Sequence, residues 1–255
     1  EMFKFLLLSI FLIVPSFCIE ISLNSADNFT CYTVYKGWHY ADHGTSESKG
    51  FHDSTSIQTQ VILDKSCTTY LITADDSDQS LNCMSSWNKL YGSSRCGYLH
   101  HHHLDSDRFV WRRVQNCLIV SNGVVVGQNQ SCEYADYIQI AGYSYDKGNK
   151  PYQNSSLLVI FDTLLLADAP YGLSITFGED YAQYDLYGSP LLSRTLKNKP
   201  LMDLAKFSED DQILLESHLI KHTPCDQYDE GYLLGFYFGG ECVAPQDVTA
   251  CYSSL

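Results

Sequence analysis

The stretch 118–127, which reads LIVS-NG-VVVG, decides the fold class. Two apolar, largely β-branched runs flank Asn122 and Gly123, and both of these residues tolerate the positive φ that a type I′ turn requires. The stretch therefore predicts a tight β-hairpin. Similar short runs recur along the chain and are broken roughly every 8 to 12 residues by Gly, Asn, Asp or Ser, which is typical of an antiparallel sandwich or barrel.

The pattern predicts an all-β chain with one short helix. Two long polar stretches, 37–55 and 75–106, are interpreted as loops. Apolar residues at helical spacing, with Ser208 as a candidate N-cap, predict the helix at 210–220. The predicted strands are 29–35, 57–63, 68–73, 108–114, 117–120, 124–128, 137–143, 157–161, 173–177, 181–187 and 231–238.

The amino-terminal segment predicts export. Lys4 precedes an apolar run at 5–14 (FLLLSIFLIV), and small side chains follow at Ser16 and Cys18. This is the pattern of a signal peptide, with cleavage expected after Cys18. A retained membrane anchor is the alternative, although the run is shorter than the roughly 20 residues that span a bilayer. We expect residues 1–18 to be the signal peptide and 19–255 to form a single β-sandwich domain.

Charge restricts the kind of partner. The chain carries a formal net charge of −14 with 16 Lys and Arg residues, so it repels nucleic-acid backbones and anionic lipid. A neutral glycan or a protein partner fits this charge better. Nothing in the sequence requires a cofactor.

Cysteines and sequons also indicate an extracellular chain. Of ten cysteines, all but Cys18 follow the predicted leader, and none of those lies in a CxxC-type pair that would favour zinc. We therefore expect disulfide bonds. Three N-x-[ST] triplets predict N-glycosylation at Asn28, Asn129 and Asn154.

Catalytic signatures were sought and not found. The segment 142–146 (GYSYD) approaches a nucleophile elbow, but it lacks the second glycine that the tight turn requires. We expect a protein that is not an enzyme, with a secreted esterase-type hydrolase as the enzymatic alternative. Four consecutive histidines at 100–103 cannot converge on one metal ion from an extended chain. Protonation of these histidines near Asp105 and Asp107 remains a hypothesis for a pH-sensitive loop.

Aromatic residues in polar segments are the best candidates for a binding site. The chain has 19 tyrosines and 3 tryptophans, side chains that offer a flat apolar face together with a polar edge. Most of them should belong to the core, so only those in predicted loops are selected. Arg112 and Arg113 are added because they form the densest positive spot, which would suit an anionic sugar or simply balance local carboxylates. The candidate glycan-binding residues are Trp38, His39, Tyr40, Trp87, Asn88, Lys89, Tyr91, Arg112 and Arg113.

Two segments resemble a known family. Residues 233–251 (LLGFYFGGECVAPQDVTAC) combine an aromatic strand, a glycine turn and a Q-D-V-x-x-C strand. Residues 108–132 (RFVWRRVQNCLIVSNGVVVGQNQSC) lead an aromatic strand through a cysteine into the Asn-Gly hairpin. Both are similar to the amino-terminal domain of the receptor-binding subunit of the coronavirus spike glycoprotein, especially its avian gammacoronavirus branch.

The resemblance implies a fold and a function. It implies a galectin-like β-sandwich at the start of a homotrimeric class I fusion glycoprotein on the virion envelope, where it binds a host cell-surface glycan or protein receptor. A structural or shielding domain without receptor binding is the alternative. No binding residue is carried over from the family.

The cysteines can be paired provisionally by closeness in the sequence. This is one of many possible connectivities, and it leaves Cys251 without a partner. In the family, the matching cysteine pairs with one that lies a little further along the chain, so we expect the partner of Cys251 beyond Leu255. The expected pairs are Cys31 with Cys67, Cys83 with Cys96, Cys117 with Cys132, and Cys225 with Cys242.

Overall fold

The fold was examined in a computed structural model. It describes residues 29–41, 50–51, 55–71, 86–94, 103–121, 124–129, 131–151, 154–195, 211–224, 231–239 and 242–253.

The described residues form an all-β structure. Its one α-helix in these ranges is the single turn α1 (Ser66–Thr69), and 3₁₀ turns occur at Gln115–Cys117 and Ser155–Leu157. No helix in the described ranges is long and apolar enough to cross a membrane. The strands, numbered along the chain, are β1 (Thr30–Val34), β2 (Gly50–Phe51), β3 (Ser56–Leu63), β4 (Asn88–Ser94), β5 (Ser106–Arg113), β6 (Leu118–Ser121), β7 (Val124–Gln128), β8 (Tyr137–Tyr145), β9 (Leu158–Leu166), β10 (Pro170–Phe177), β11 (Tyr181–Gly188), β12 (Ser193–Thr195), β13 (Ile213–Lys221), β14 (Gly231–Leu234) and β15 (Val248–Tyr252).

Two antiparallel sheets make up the sandwich, and the predicted fold class is confirmed. The six-stranded sheet has the order β1-β15-β3-β10-β11-β13, and the seven-stranded sheet has the order β12-β9-β8-β5-β4-β14-β2. Strands β6 and β7 form a separate hairpin in which Ser121 pairs with Val124. That register fits the two-residue turn predicted for Asn122 and Gly123, which themselves lie outside the described residues.

The core lies between the two sheets. Phe109 and Trp111 alternate on β5 so that both rings point inward and are fully buried. The Phe109 ring meets the edge of Tyr184 from the opposite sheet at 5.3 Å between centroids, and Trp111 stacks on Phe236 at 5.9 Å. Burying each such side chain contributes roughly 2 to 3 kcal/mol, so these rings fix how the sheets face each other.

Glu216 ties the two sheets together at one side. Its carboxylate on β13 accepts hydrogen bonds from the backbone N–H groups of Asp162 and Thr163 on β9, at 2.9 and 2.8 Å, and it contacts His218 Nε2 at 2.5 Å. Burial raises the pKa of Glu216, but these hydrogen bonds outweigh it and leave the pKa below its usual value. The charged carboxylate is therefore a fixed part of the sandwich.

Three expectations about secondary structure are wrong. Residues 213–221 form strand β13 rather than a helix, because their pairing with β11 and the burial of Ile220 override the local helical spacing. The strand predicted at 68–73 is replaced at its start by helix α1. Within the two predicted loops the chain forms β2 and β4, and β4 lies inside the seven-stranded sheet.

The disulfides correct part of the expected connectivity. Cys117 pairs with Cys132, as predicted. Cys31 pairs with Cys251, because β1 and β15 are neighbours in the six-stranded sheet and these two residues lie directly opposite each other. The predicted Cys31–Cys67 bond and the expectation of a partner for Cys251 beyond Leu255 are therefore wrong. A disulfide that closes so long a loop stabilises the fold by roughly 5 kcal/mol in the chain-entropy model.

Cys67 is the free cysteine among the described residues. It is a free, fully buried thiol whose Sγ lies 3.4 Å from the carbonyl oxygen of Thr249, and burial raises its pKa well above the usual value. Cys242 is disulfide-bonded. The predicted pairs Cys83 with Cys96 and Cys225 with Cys242 depend on Cys83, Cys96 and Cys225, which lie outside the described residues. The disulfides fit an extracellular location.

Candidate functional site: an exposed aromatic loop

A type II turn begins the first predicted binding segment. The amide of Trp38 donates to the carbonyl oxygen of Tyr35 at 3.0 Å, and Gly37 at the third position of the turn has φ +82°. Only glycine adopts this backbone conformation without strain, so the Lys36-Gly37 sequence sets the turn. A bridge between Val34 and Ala41 then closes the loop at its base.

Hydrogen bonds hold this loop on two later segments of the chain, around Phe238 and Ala244. Gly37 N donates to Ala244 O at 2.7 Å, and Ala244 N donates to Trp38 O at 2.9 Å. On the other side, Phe238 N donates to His39 O at 2.9 Å, while His39 Nδ1 lies 3.1 Å from Phe238 O. The loop is therefore fixed at four points, and its outward side chains are presented from a rigid support.

Three aromatic side chains of the loop point to solvent. Tyr35, Trp38 and Tyr40 are 48, 64 and 57% exposed, and Val243 beside the loop is 43% exposed. We call these four residues the aromatic platform. Every other Phe, Tyr and Trp whose burial the structure describes, a set that leaves out Phe51 and Tyr232, is buried or half-buried. Exposed aromatic surface is therefore concentrated in one place.

The ring of Tyr237 packs against two residues of the platform loop, His39 and Tyr40. The His39 ring stacks on it at 5.5 Å with an interplanar angle of 10°, and the Tyr40 ring meets its edge at 5.0 Å. Burial, followed by the neighbouring Tyr40, raises the pKa of Tyr237. His39 is thus used to position the loop, whereas Trp38 and Tyr40 remain available to a ligand.

The second predicted binding segment is interior. Asn88, Lys89 and Tyr91 lie on β4 and are 2, 7 and 3% exposed. Asn88 Oδ1 accepts the amide of Gly239 at 2.9 Å, and its Nδ2 donates to the Tyr70 hydroxyl at 3.3 Å. The interpretation of these three residues as ligand contacts is wrong, because their side chains hold the sheet together.

Lys89 is a buried cation held by an aromatic ring. Its ammonium lies 5.0 Å from the centroid of Tyr143 and donates to Trp87 O at 3.3 Å. In the part of the chain that the structure describes, no carboxylate pairs with it. Burial, with a further effect from Arg108, lowers the pKa of Lys89 to about 7.

The two adjacent arginines do not form a common positive spot. Arg113 points into the core, where it donates to the carbonyl oxygen of Tyr70 and lies over the Tyr70 ring. Arg112 lies on the other face of β5, stacked 4.1 Å above the Trp87 ring and bonded to Gln139 Oε1 at 2.8 Å. Alternate residues of a strand point to opposite faces, so the hypothesis of a paired anion site is wrong.

His103 is the one member of the histidine run within the described residues. Its ring lies 5.0 Å from that of Tyr145. Burial and then the nearby cations, Arg108 first, lower the pKa of His103 to about 4. Asp107, expected beside the histidines, instead points into the core and is bonded to Ser144 and Tyr184. No group of three or more metal-ligating side chains occurs among the residues described.

Two of the predicted glycosylation sites can be located. Asn129 and Asn154 are exposed, as N-glycosylation requires. Each side-chain oxygen accepts the backbone amide two residues on, from Ser131 at 3.0 Å and from Ser156 at 3.1 Å. Asn28 lies outside the described residues.

Tyr35 and Val243 were missed as site residues. Tyr35 ends a strand-like run, so the sequence alone favoured a place in the core, but the Lys36-Gly37 turn that follows it was the available signal. No signal in the sequence places Val243 next to a loop some 200 residues earlier.

Comparison with known proteins finds no family model that matches the chain and no curated protein with significant similarity. Fold and site together define a class: a disulfide-bonded antiparallel β-sandwich that presents an aromatic loop.

Proposed function

We propose that this chain is an attachment domain that binds a host cell-surface glycan through the aromatic platform. The observation that supports it best is the concentration of exposed aromatic rings, Tyr35, Trp38 and Tyr40, in a single loop. Exposing such rings to water contributes nothing to the stability of the fold, whereas a binding site uses them.

The ligand class follows from the chemistry of the platform. The flat faces of Trp38 and Tyr40 suit the apolar C–H face of a sugar ring, and the tyrosine hydroxyls and the indole N–H provide hydrogen bonds at the rim. Arg112 and Arg113 are engaged elsewhere, and the chain is strongly acidic. We therefore propose a neutral sugar rather than one that requires sialic acid.

The biological setting remains the one that the resemblance implies. In this proposal the domain begins a homotrimeric spike fusion glycoprotein on a virion envelope, and three copies engage several glycans at once. Single sugar sites bind weakly, and multivalency raises avidity by about 10²- to 10⁴-fold. The alternative partner is a protein receptor that contacts the same four residues.

A glycan array tests the proposal. The chain, displayed as a multimer, should bind a defined set of glycans before and after sialidase treatment, and Trp38→Ala should reduce the signal at least tenfold. Ile119→Ala is the matched control, because Ile119 is 47% exposed on the separate hairpin. If Trp38→Ala and Ile119→Ala bind alike, the platform is not the site.

The competing function is a structural or shielding domain. Deleting the domain from the intact glycoprotein and measuring cell attachment distinguishes this structural function from receptor binding. Unchanged attachment after the deletion would contradict the receptor-binding proposal.

A further inference from the structure

Strand β13 differs from the other sheet edges. Among the described residues, the outermost strands of the two sheets are β1, β2, β12 and β13. Of the two that have described residues at both ends, β1 has five residues and β13 has nine. Short edge strands are a common protection against unwanted pairing, so a long edge requires a reason.

Within the described ranges, no strand lies beside β13 on its second side. Its single strand neighbour in the described part of the chain is β11, so the backbone groups on the opposite side have no partner there. Glu216 fixes β13 to β9 through the two short hydrogen bonds given above. The edge is therefore rigid and preformed, as recognition by strand addition requires.

The outer face of this edge carries two exposed leucines together with exposed Ser217 and Lys221. Leu214 and Leu219 are 47 and 51% exposed. They pair with Tyr187 and Gln183 of β11, and Ser217 between them pairs with Asp185. Leu215 is a bulge with no partner opposite it, and this extra residue brings Leu214 to the same face as Leu219.

The strand is complementary to itself when run antiparallel. With Ser217 opposite Ser217 of a second copy and Leu215 left out as the bulge, Leu214 faces the other copy's Leu219. In the same register, Glu216 lies opposite the other copy's His218, while within each copy these two side chains are already paired with each other. The Leu214–Leu219 pair occurs twice by symmetry, and each residue except Leu215 meets a residue on its own face of the sheet.

We propose that β13 is a self-association edge through which two copies of this chain pair antiparallel about Ser217 and join their six-stranded sheets. The contact is small and the copies repel each other through their net charge of −14. The dimer is therefore weak and concentration-dependent, and added salt strengthens it.

Sedimentation velocity of the intact chain tests the dimer. From about 1 to about 100 µM protein, the average mass should rise toward that of two copies, and more steeply in about 0.5 M salt. Leu219→Lys and Leu214→Lys should each weaken the dimer at least tenfold, whereas Leu104→Lys should not. Leu104 is a suitable control because it is an exposed leucine on the turn before β5. A constant monomer mass at every concentration and salt level would overturn the proposal.

Cysteine cross-linking tests the register. Ser217→Cys places a thiol opposite itself across the two-fold axis, the arrangement that already joins Cys31 and Cys251 in the sheet. Mild oxidation should then give a covalent dimer on a non-reducing gel. Gln183→Cys puts a thiol on the same face but one strand away from the edge, so it should remain monomeric. Equal cross-linking of the two variants, or none in either, contradicts this register.

Discussion

The loop at 35–40 and the strand β4 at 88–94 look alike in sequence but have opposite roles. Both are polar stretches with interspersed aromatic residues, and the sequence predicts binding residues in both, at 38–40 and at 87–91. The first exposes Trp38 and Tyr40, whereas the second buries Asn88, Lys89 and Tyr91 within the seven-stranded sheet. Polarity alone therefore does not identify a loop, because a central strand can bury polar groups when each finds a partner.

The largest expected difference between the two regions depends on pH. Lys89 has a folded-state pKa of about 7, and in the unfolded chain it titrates near pH 10.4. Between these values the unfolded state binds more protons, so stability rises with pH. From about pH 7 to about pH 9.5, this difference in proton binding adds about 3 kcal/mol to the free energy of unfolding. Urea unfolding followed by tryptophan fluorescence should show this rise in the natural chain and not in Lys89→Met.

Lys36→Met is the control for that measurement. Lys36 is exposed in the platform loop, so its replacement should leave the slope of stability against pH unchanged. Parallel curves for the natural chain and Lys89→Met would show that burial does not lower the pKa of Lys89 in the folded state.

Replacing one tyrosine in each region gives a contrast of similar size. Tyr91→Ala removes a ring that is 3% exposed and lies 6.5 Å from the Tyr252 ring, so it should lower the free energy of unfolding by about 3 to 5 kcal/mol. Tyr40→Ala removes an exposed ring and should lower it by less than about 1 kcal/mol. Thermal and urea denaturation of both variants measure the difference. Similar losses would mean that the two segments are equally buried.

Asn88→Ala should have an intermediate effect. The substitution leaves the buried amide of Gly239 without its acceptor, which costs about 1 to 3 kcal/mol. Hydrogen exchange should show faster exchange at Gly239, while Trp38, whose amide is bonded within its own turn, keeps its protection. Unchanged exchange at Gly239 would contradict the structural role of Asn88.

Local signals in the sequence correctly predicted the structural elements that are determined by residues close together in the chain. Asn122 and Gly123 specified the β6–β7 hairpin, and the alternation around Phe109 and Trp111 specified β5. The pairing of Cys31 with Cys251 was not predictable, because it depends on β1 and β15 becoming neighbours from opposite ends of the domain. The apolar residues of 213–221 fit a helix as well as a strand, and only the contact with β11 decides between them.

The smallest expected effect on stability tests whether the shape of the loop matters for binding. Gly37→Ala introduces a side chain at φ +82° with no atom in its way, so it should cost about 1 kcal/mol through backbone strain. Gly148→Ala, at φ +79° in a distant turn, should cost a similar amount and is the matched control. Because Gly37 sets the turn that presents Trp38, only Gly37→Ala should also weaken glycan binding. If both variants bind as the natural chain does, the type II turn is dispensable for the function of the platform.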